Sequence, residues 1–316
     1  MIKDCDLKEI DTSRYKDKIL ELKDKINRIK DINPKIKIVE TLINNNKINV
    51  VQEGFLLAGT KQRVAELFVK KLIENEKKDN NKTIDTILYV GTFNGFGAVA
   101  VAFAAYRLNI SSRIYLSSVP TGFNKEETTE KILESRQILT SLALDAKIYL
   151  CNNYVDARNQ MYTELNRNKN FYRISMGLND DKKIMVNLLA EQIKKAIKET
   201  KLQTIENPRI WMVAGSGGIL MSLNKALRGF TIFVFLTGGG RYIKNVIKFI
   251  KNKNKYNKII ILNNNEKKEY ENNYYDSVYK YDDNIIPYIE KYGKKDDFIW
   301  NVASDKLSIF DLNMFT

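Results

Sequence analysis

One unit constrains this chain more than any other feature: an apolar run that breaks into a glycine-rich turn and resumes as an apolar helix. Ile84 to Val90 reads as a strand, Gly91-Thr92-Phe93-Asn94-Gly95-Phe96-Gly97 as the turn, and Ala98 to Leu108 as a helix apolar on all sides and therefore buried. A further strand is expected from Arg113 to Ser117. Such a succession joins parallel strands, because the crossover helix must bring the chain back to the edge it left. Later, Arg209 to Val213 runs into Ala214-Gly215-Ser216-Gly217-Gly218 and the helical stretch Ile219 to Leu227. Thr231 to Leu236 then ends in Thr237-Gly238-Gly239-Gly240-Arg241, followed by a helix over 242–251 and a strand over 259–262. The expected fold class is α/β, with doubly wound parallel sheets and no internal repeat.

Flanking segments are plainer. Residues 1 to about 33 carry Ile19, Leu20, Leu22, Ile26 and Ile29 at helical spacing before Pro34, which predicts one or two amphipathic helices that pack at the periphery. Helices are also predicted over 125–143, 181–198 and 283–292, with strand segments at 146–150 and 298–302.

Composition narrows the chemistry. The chain has no histidine, which removes Ser-His-Asp and Cys-His nucleophile pairs, histidine bases and His-rich metal sites. With only Cys5 and Cys151, no zinc ribbon, iron–sulfur cluster or disulfide framework can be built within one chain. Any proton carrier is then Lys, Tyr, a carboxylate or a cofactor. Tyr89, Tyr115, Tyr172, Tyr275 and Tyr281 are each read first as packing residues.

Cofactor templates discriminate between the turns. A dinucleotide fingerprint fits at Gly215 and Gly217 but meets Leu at 220, and a Walker loop fails at Phe96. The 214–218 turn still offers a nest of backbone N–H groups at a helix N-terminus, to which Ser216 adds a hydroxyl, and this suits one compact phosphate. The alternative is a tight turn that needs glycine for geometry alone. Lys61, in Ala58-Gly59-Thr60-Lys61-Gln62-Arg63, enters a helix start marked by Val64, Ala65, Phe68 and Leu72. The helix terminus, Arg63 and partial burial are each expected to disfavour an ammonium there and leave a nucleophilic amine.

Lys61 in AGTKQR, Asn94 in GTFNGFG and the loop AGSGGI at 214–219 together resemble the pyridoxal-phosphate enzymes of fold type II, the tryptophan synthase β-like superfamily. GTKQR is most similar to the G-N-K-x-R form of the D-cysteine desulfhydrase and aminocyclopropane-carboxylate deaminase branch, and the resemblance covers roughly residues 50 to 305. It implies pyridoxal 5'-phosphate as cofactor, with Lys61 as Schiff-base lysine, Asn94 on the ring hydroxyl, and Ala214, Gly215, Ser216, Gly217 and Gly218 on the phosphate. Asn301 or Ser304, in WNVASDK, are the positions implied to face the pyridine nitrogen. Thr92, Phe93 and Gly95 replace the usual S-S-G-N-T turn around the substrate carboxylate. The implied organisation is a helical segment at 1–40, a large cofactor-binding domain from 41–84 and 170–316, and a smaller inserted α/β domain at 85–169. The implied activity is a lyase that acts on an amino-acid-type amine by elimination, deamination or replacement.

Other readings stay open. The Trp-Asn-Val-Ala ending resembles relatives carried by phages and viruses, which admits a decarboxylase or lyase of an amino-acid-modified pyrimidine nucleotide or DNA base. Lys+Arg 52 against Asp+Glu 38 gives +14, and seven basic residues with no acid lie between Arg241 and Lys258, a possible DNA-contacting face. A methyltransferase that binds S-adenosylmethionine at Gly91 to Gly97, and a non-catalytic protein that keeps the fold, are the competing classes. No stretch reaches the ~18 apolar residues of a membrane span, and MIKDCDLKEID has no signal-peptide core. A cytoplasmic protein, of the host if it is viral, with no membrane contact is therefore expected, and the family resemblance implies a homodimer.

Overall fold

The computed structural model describes residues 9–93, 95–117, 134–178, 180–237, 240–253, 256–262, 274–277 and 281–305. These form two compact units, one from 9–30 and 64–181, the other from 31–63 and 182–305.

The first unit is a four-stranded sheet in the order β5-β4-β3-β6, with β3 at Thr86–Thr92, β4 at Ser111–Ser117, β5 at Lys147–Cys151 and β6 at Phe171–Ile174. All its pairings are parallel. Helix α3 (Phe96–Arg107) is buried from Phe96 through Ala105, as its all-round apolar sequence predicts. The N-terminal segment supplies α1 (Lys16–Asn27), which packs on α4 (Arg136–Ala143). Of the helix predicted over 125–143, residues up to 133 lie outside the described ones. The sequence reading missed α5 (Tyr154–Arg167) and β6, because only Ala157 and Met161 of α5 are buried and its apolar periodicity is faint. Its usable signal is the cap: Asn153 Oδ1 accepts the Asp156 N–H at 2.9 Å.

The second unit is a six-stranded sheet in the order β1-β2-β10-β7-β8-β9. Strands β2 (Asn46–Gln52), β7 (Arg209–Ala214), β8 (Thr231–Leu236), β9 (Lys258–Ile261) and β10 (Phe298–Asn301) run parallel. The edge strand β1 (Ile38–Ile43) departs from that pattern and pairs antiparallel with β2. Asn44 and Asn45, at φ 46° and 62°, form the two-residue turn between them, a conformation that asparagine tolerates. The helical segment expected to 40 is thus helical only through Asn27, apart from a short 3-10 turn before it. Trp211, Val213, Ile285, Ile289 and Ile299 anchor the core of this unit, where Trp211 stacks on Phe233 with ring centroids 4.1 Å apart.

Parallel pairing has a direct consequence. The chain leaves β2 at Gln52, β10 at Asn301, β7 at Ala214 and β8 at Leu236 along one edge of one sheet. That carboxyl edge is where open α/β sheets collect their ligand-binding loops.

Candidate functional site

The segment that leaves β2 is clamped before it reaches Lys61. Arg63 and Glu53, both almost fully buried, form a two-pronged ion pair with N···O distances of 2.7 Å. Arg63 also donates to Asn33 Oδ1 at 2.7 Å and to the Pro34 carbonyl at 2.8 Å. Gln62 accepts the Leu57 N–H at 2.7 Å. Between these anchors, Gly59 takes φ +56°, and a Cβ there would lie 2.1 Å from the Val302 carbonyl oxygen, so only glycine fits. The Thr60 N–H donates to that carbonyl at 2.9 Å, and Trp300 Nε1 donates to the Thr60 hydroxyl at 3.1 Å. The Lys61 turn is therefore pinned to the exit from β10.

Lys61 follows in a 3-10 turn, Gly59–Lys61, directly before α2 (Gln62–Asn80). Its amine has no hydrogen-bond acceptor or carboxylate partner among the described residues, and burial lowers its pKa from the ordinary lysine value. Burial is the whole cause. The sequence expectation that Arg63 repels the ammonium is corrected, because Glu53 already neutralises that guanidinium.

β10 lies beside β7, whose exit carries the glycine loop. The exits of β2, which leads to Lys61, and of β7 are therefore two strand spacings, ~10 Å, apart along the sheet edge. Helix α8 (Gly218–Ala226) begins from Gly217, at φ +79°, where a Cβ would lie 2.4 Å from Val246 Cγ2. Gly215 differs: a Cβ there meets nothing nearer than 3.8 Å, and the atoms at that distance are the hydroxyls of Thr237 and Tyr281. The glycine at 217 answers to packing, while a side chain at 215 would meet two hydroxyls at ordinary contact distance. The Ser216 side chain, the Thr237 hydroxyl and the backbone N–H groups opening α8 are donors of the kind a phosphate takes.

Sequence reasoning missed the partners that other segments bring. The Thr237 N–H donates to the Ala214 carbonyl at 2.9 Å, which ties the exits of β7 and β8 together. Tyr281, read as a packing residue, donates to the Val213 carbonyl at 3.4 Å and also meets the Gly215 backbone and the Thr237 hydroxyl; burial holds its phenol proton on. Lys182 Nζ donates to the Ser216 carbonyl at 3.3 Å, and burial lowers its pKa. The one available signal was Thr237-Gly238-Gly239-Gly240 at the end of the neighbouring parallel strand.

Asn301 and Ser304 are both fully buried. Asn301 Nδ2 donates to Gln52 Oε1 at 3.1 Å and to the Asp276 carbonyl at 2.7 Å, and its oxygen accepts the Ala303 N–H at 3.3 Å. All its polar atoms thus serve the exit from β10. Ser304 sits against Gly54, where a Cβ would lie 2.8 Å from the serine Cβ.

In the first unit, Thr92, Phe93 and Gly95 occupy the turn between β3 and α3, closed by the Gly95 N–H donating to the Thr92 carbonyl at 3.0 Å. Asn94 lies outside the described residues. The flanking glycines have a packing cause: a Cβ on Gly91 or Gly97 would lie 2.6 or 2.0 Å from the Tyr89 ring or hydroxyl. That ring accounts for two of the glycines read as a methyl-donor loop. Among the described residues no cluster of His, Cys, Asp and Glu could hold a metal, and no helix is long and apolar enough to cross a membrane.

No protein-family model matches the chain, and no curated protein matches it. Solved structures do. An ACC deaminase homologue aligns over 95% of this chain and 99% of its own, with TM-score 0.57 and 15% identity. The processed form of threonine deaminase isoform 2 from Solanum lycopersicum aligns over 95% and 93%, with TM-score 0.56 and 13% identity. Diaminopropionate ammonia lyase from Escherichia coli aligns over 94% and 89%, with TM-score 0.52 and 14% identity. The chain has the fold of these proteins, the tryptophan synthase β-like α/β fold.

Proposed function

We propose that this protein is a pyridoxal-phosphate-dependent lyase that acts on an amino-acid-type amine by elimination, deamination or replacement. One observation carries the reading: a half-buried lysine with no partner among the described residues and a glycine-rich helix start follow exits of one sheet that only β10 separates. The likeness of fold to a deaminase and an ammonia lyase supports it. The unit of 31–63 and 182–305 is taken as the cofactor-binding domain, in place of the 41–84 and 170–316 expected from the sequence. Bound there, the cofactor would supply an electron-accepting ring that stabilises negative charge at the substrate's α-carbon.

The chain's own residues have distinct tasks. The N–H groups of 216–218 and the hydroxyls of Ser216 and Thr237 bind the phosphate, and Tyr281 holds the Gly215 backbone in place. Lys61 Nζ, biased toward its neutral form, holds and moves the proton at the α-carbon in place of the absent histidine. The Glu53–Arg63 clamp and the Thr60–Val302 bond fix where that amine stands. Asn301 and Ser304, both fully buried at the exit from β10, are the residues assigned to the ring nitrogen. The family resemblance further implies Asn94 on the ring hydroxyl and Thr92, Phe93 and Gly95 on the substrate carboxylate. The net charge of +14 keeps an amino-modified nucleotide within the substrate class, and the 241–258 segment would then meet the nucleic acid.

The expected result is a yellow protein with a visible absorption band that Lys61→Ala abolishes. Borohydride should fix the pyridoxyl label on the peptide bearing Lys61. A preparation that stays colourless with added cofactor overturns the proposal. Turnover of free amino acids without DNA affinity removes the nucleotide substrate.

A further inference from the structure

A second cavity in the same unit, of about 480 Å3, has no wall from a strand end. It lies among α6 (Lys182–Ala196), α8 and α9 (Gly240–Lys253). Its floor is apolar, from Val186, Met221 and Phe249, and its cations are Lys182, Lys183 and Lys248. No acid lines it. Among the described residues neither Lys183 nor Lys248 has an ion-pair partner, and both are exposed. Two amides complete the wall: Asn245, and Asn187, whose oxygen accepts from Lys225 so that its NH2 is the group left to offer.

Each component restricts the occupant. Three ammonium groups without a carboxylate select an anion. Inorganic phosphate would leave Val186, Met221 and Phe249 uncovered, so the anion must carry an apolar ring of appreciable area. Amides on the wall suit the donor and acceptor edge of such a ring. The volume falls within the ~300–1,000 Å3 of small-molecule sites.

We propose that this cavity binds a nucleoside monophosphate, with its phosphate on the lysines, its base on the apolar floor and the base edge toward the asparagines. The site is separate from the glycine cradle. Gly217 stands between them, and its missing side chain is filled by Val246 of α9 and approached by Met221, which also lines the cavity. Lys182 belongs to both, because it lines the cavity and donates to the Ser216 carbonyl. Occupancy that draws Lys182 toward an anion therefore weakens its hold on the glycine loop, and the two sites are coupled in sign.

Calorimetric titration of the protein as purified with adenosine 5'-monophosphate tests this, with adenosine and inorganic phosphate as comparators. The monophosphate should bind at least tenfold more tightly than either comparator. The double variant Lys183→Glu/Lys248→Glu, which changes two exposed side chains, should weaken it at least tenfold with an unchanged thermal transition. Lys61→Ala and Gly215→Ala should leave its affinity in place, so this site and the proposed cofactor site fail independently. Absence of binding overturns the proposal. So does binding indifferent to the lysine reversals, or binding lost in Gly215→Ala, which would put the nucleotide in the glycine loop.

Discussion

Arg63 shows how far a single side chain departs from its sequence reading. In sequence it is a cation two residues from Lys61; in the fold it is spent on Glu53, Asn33 and Pro34. Removing one partner of a pair buried this deeply leaves an uncompensated charge. Glu53→Gln is expected to cost about 3–5 kcal/mol, read as a lower denaturant midpoint. A midpoint shift under 1 kcal/mol would show that the clamp is not needed. Asp282 carries the second residue-level consequence. It is buried, with Tyr275 donating to Oδ2 at 3.1 Å and no partner for Oδ1, and desolvation raises its pKa from 3.8 to about 7. Between those values the folded chain keeps a proton that the unfolded chain has released. Stability from this group is therefore lost as pH rises from about 4 to 7, by up to roughly 1.4 kcal/mol per unit. Asp282→Asn should flatten that slope in denaturation curves taken from pH 4 to 8, and an unchanged slope would assign it elsewhere.

The strand-to-helix turns gave up their existence in sequence but not the reason for each glycine. GSGG and GTFNGFG look alike as strings. In the fold, Gly91 and Gly97 make room for Tyr89 and Gly217 for a left-handed N-cap beside Val246, while a side chain at Gly215 would meet the Thr237 and Tyr281 hydroxyls only at ordinary contact distance. Substitutions separate these roles. Gly217→Ala combines positive φ with a 2.4 Å approach and should lower stability by about 1–3 kcal/mol. Gly215→Ala should leave the thermal transition in place yet weaken pyridoxal-phosphate binding at least tenfold, read by titrating the visible band. Equal loss of stability in both variants would refute the division. The β1–β2 hairpin was missed for a related reason: its signal is the Asn44-Asn45 turn, set within a run of asparagines that reads as compositional bias.

Across the entire chain, the parallel α/β architecture was legible because buried parallel strands are continuous apolar runs, visible without knowledge of neighbours. The charge of +14 belongs to the same level. If the lysines form a nucleic-acid face, affinity for a labelled DNA duplex should fall steeply with salt. Two phosphate contacts give about a tenfold loss over a fourfold rise in salt. A flat response in fluorescence anisotropy would leave the lysines as surface solvation.

Local chemistry along the chain was enough to specify the alternation of strands and helices, the buried α3 and the glycine-rich turn at 214–218, while Lys61 was joined to that turn by family resemblance. The first three depend on residues within a few positions of one another. Strand order was not specified locally, because it depends on edges far apart in the chain, such as Phe298 with Asn49 and Phe298 with Ile210; β10 inserts between β2 and β7. That insertion sets the Lys61 turn beside the chain leaving β10, as Thr237 and Tyr281 from other exits border Gly215. Contacts between distant segments leave no periodicity in the sequence, so the cradle's hydroxyls, the Glu53–Arg63 clamp and the lysine-rimmed cavity became visible only when the chain was folded.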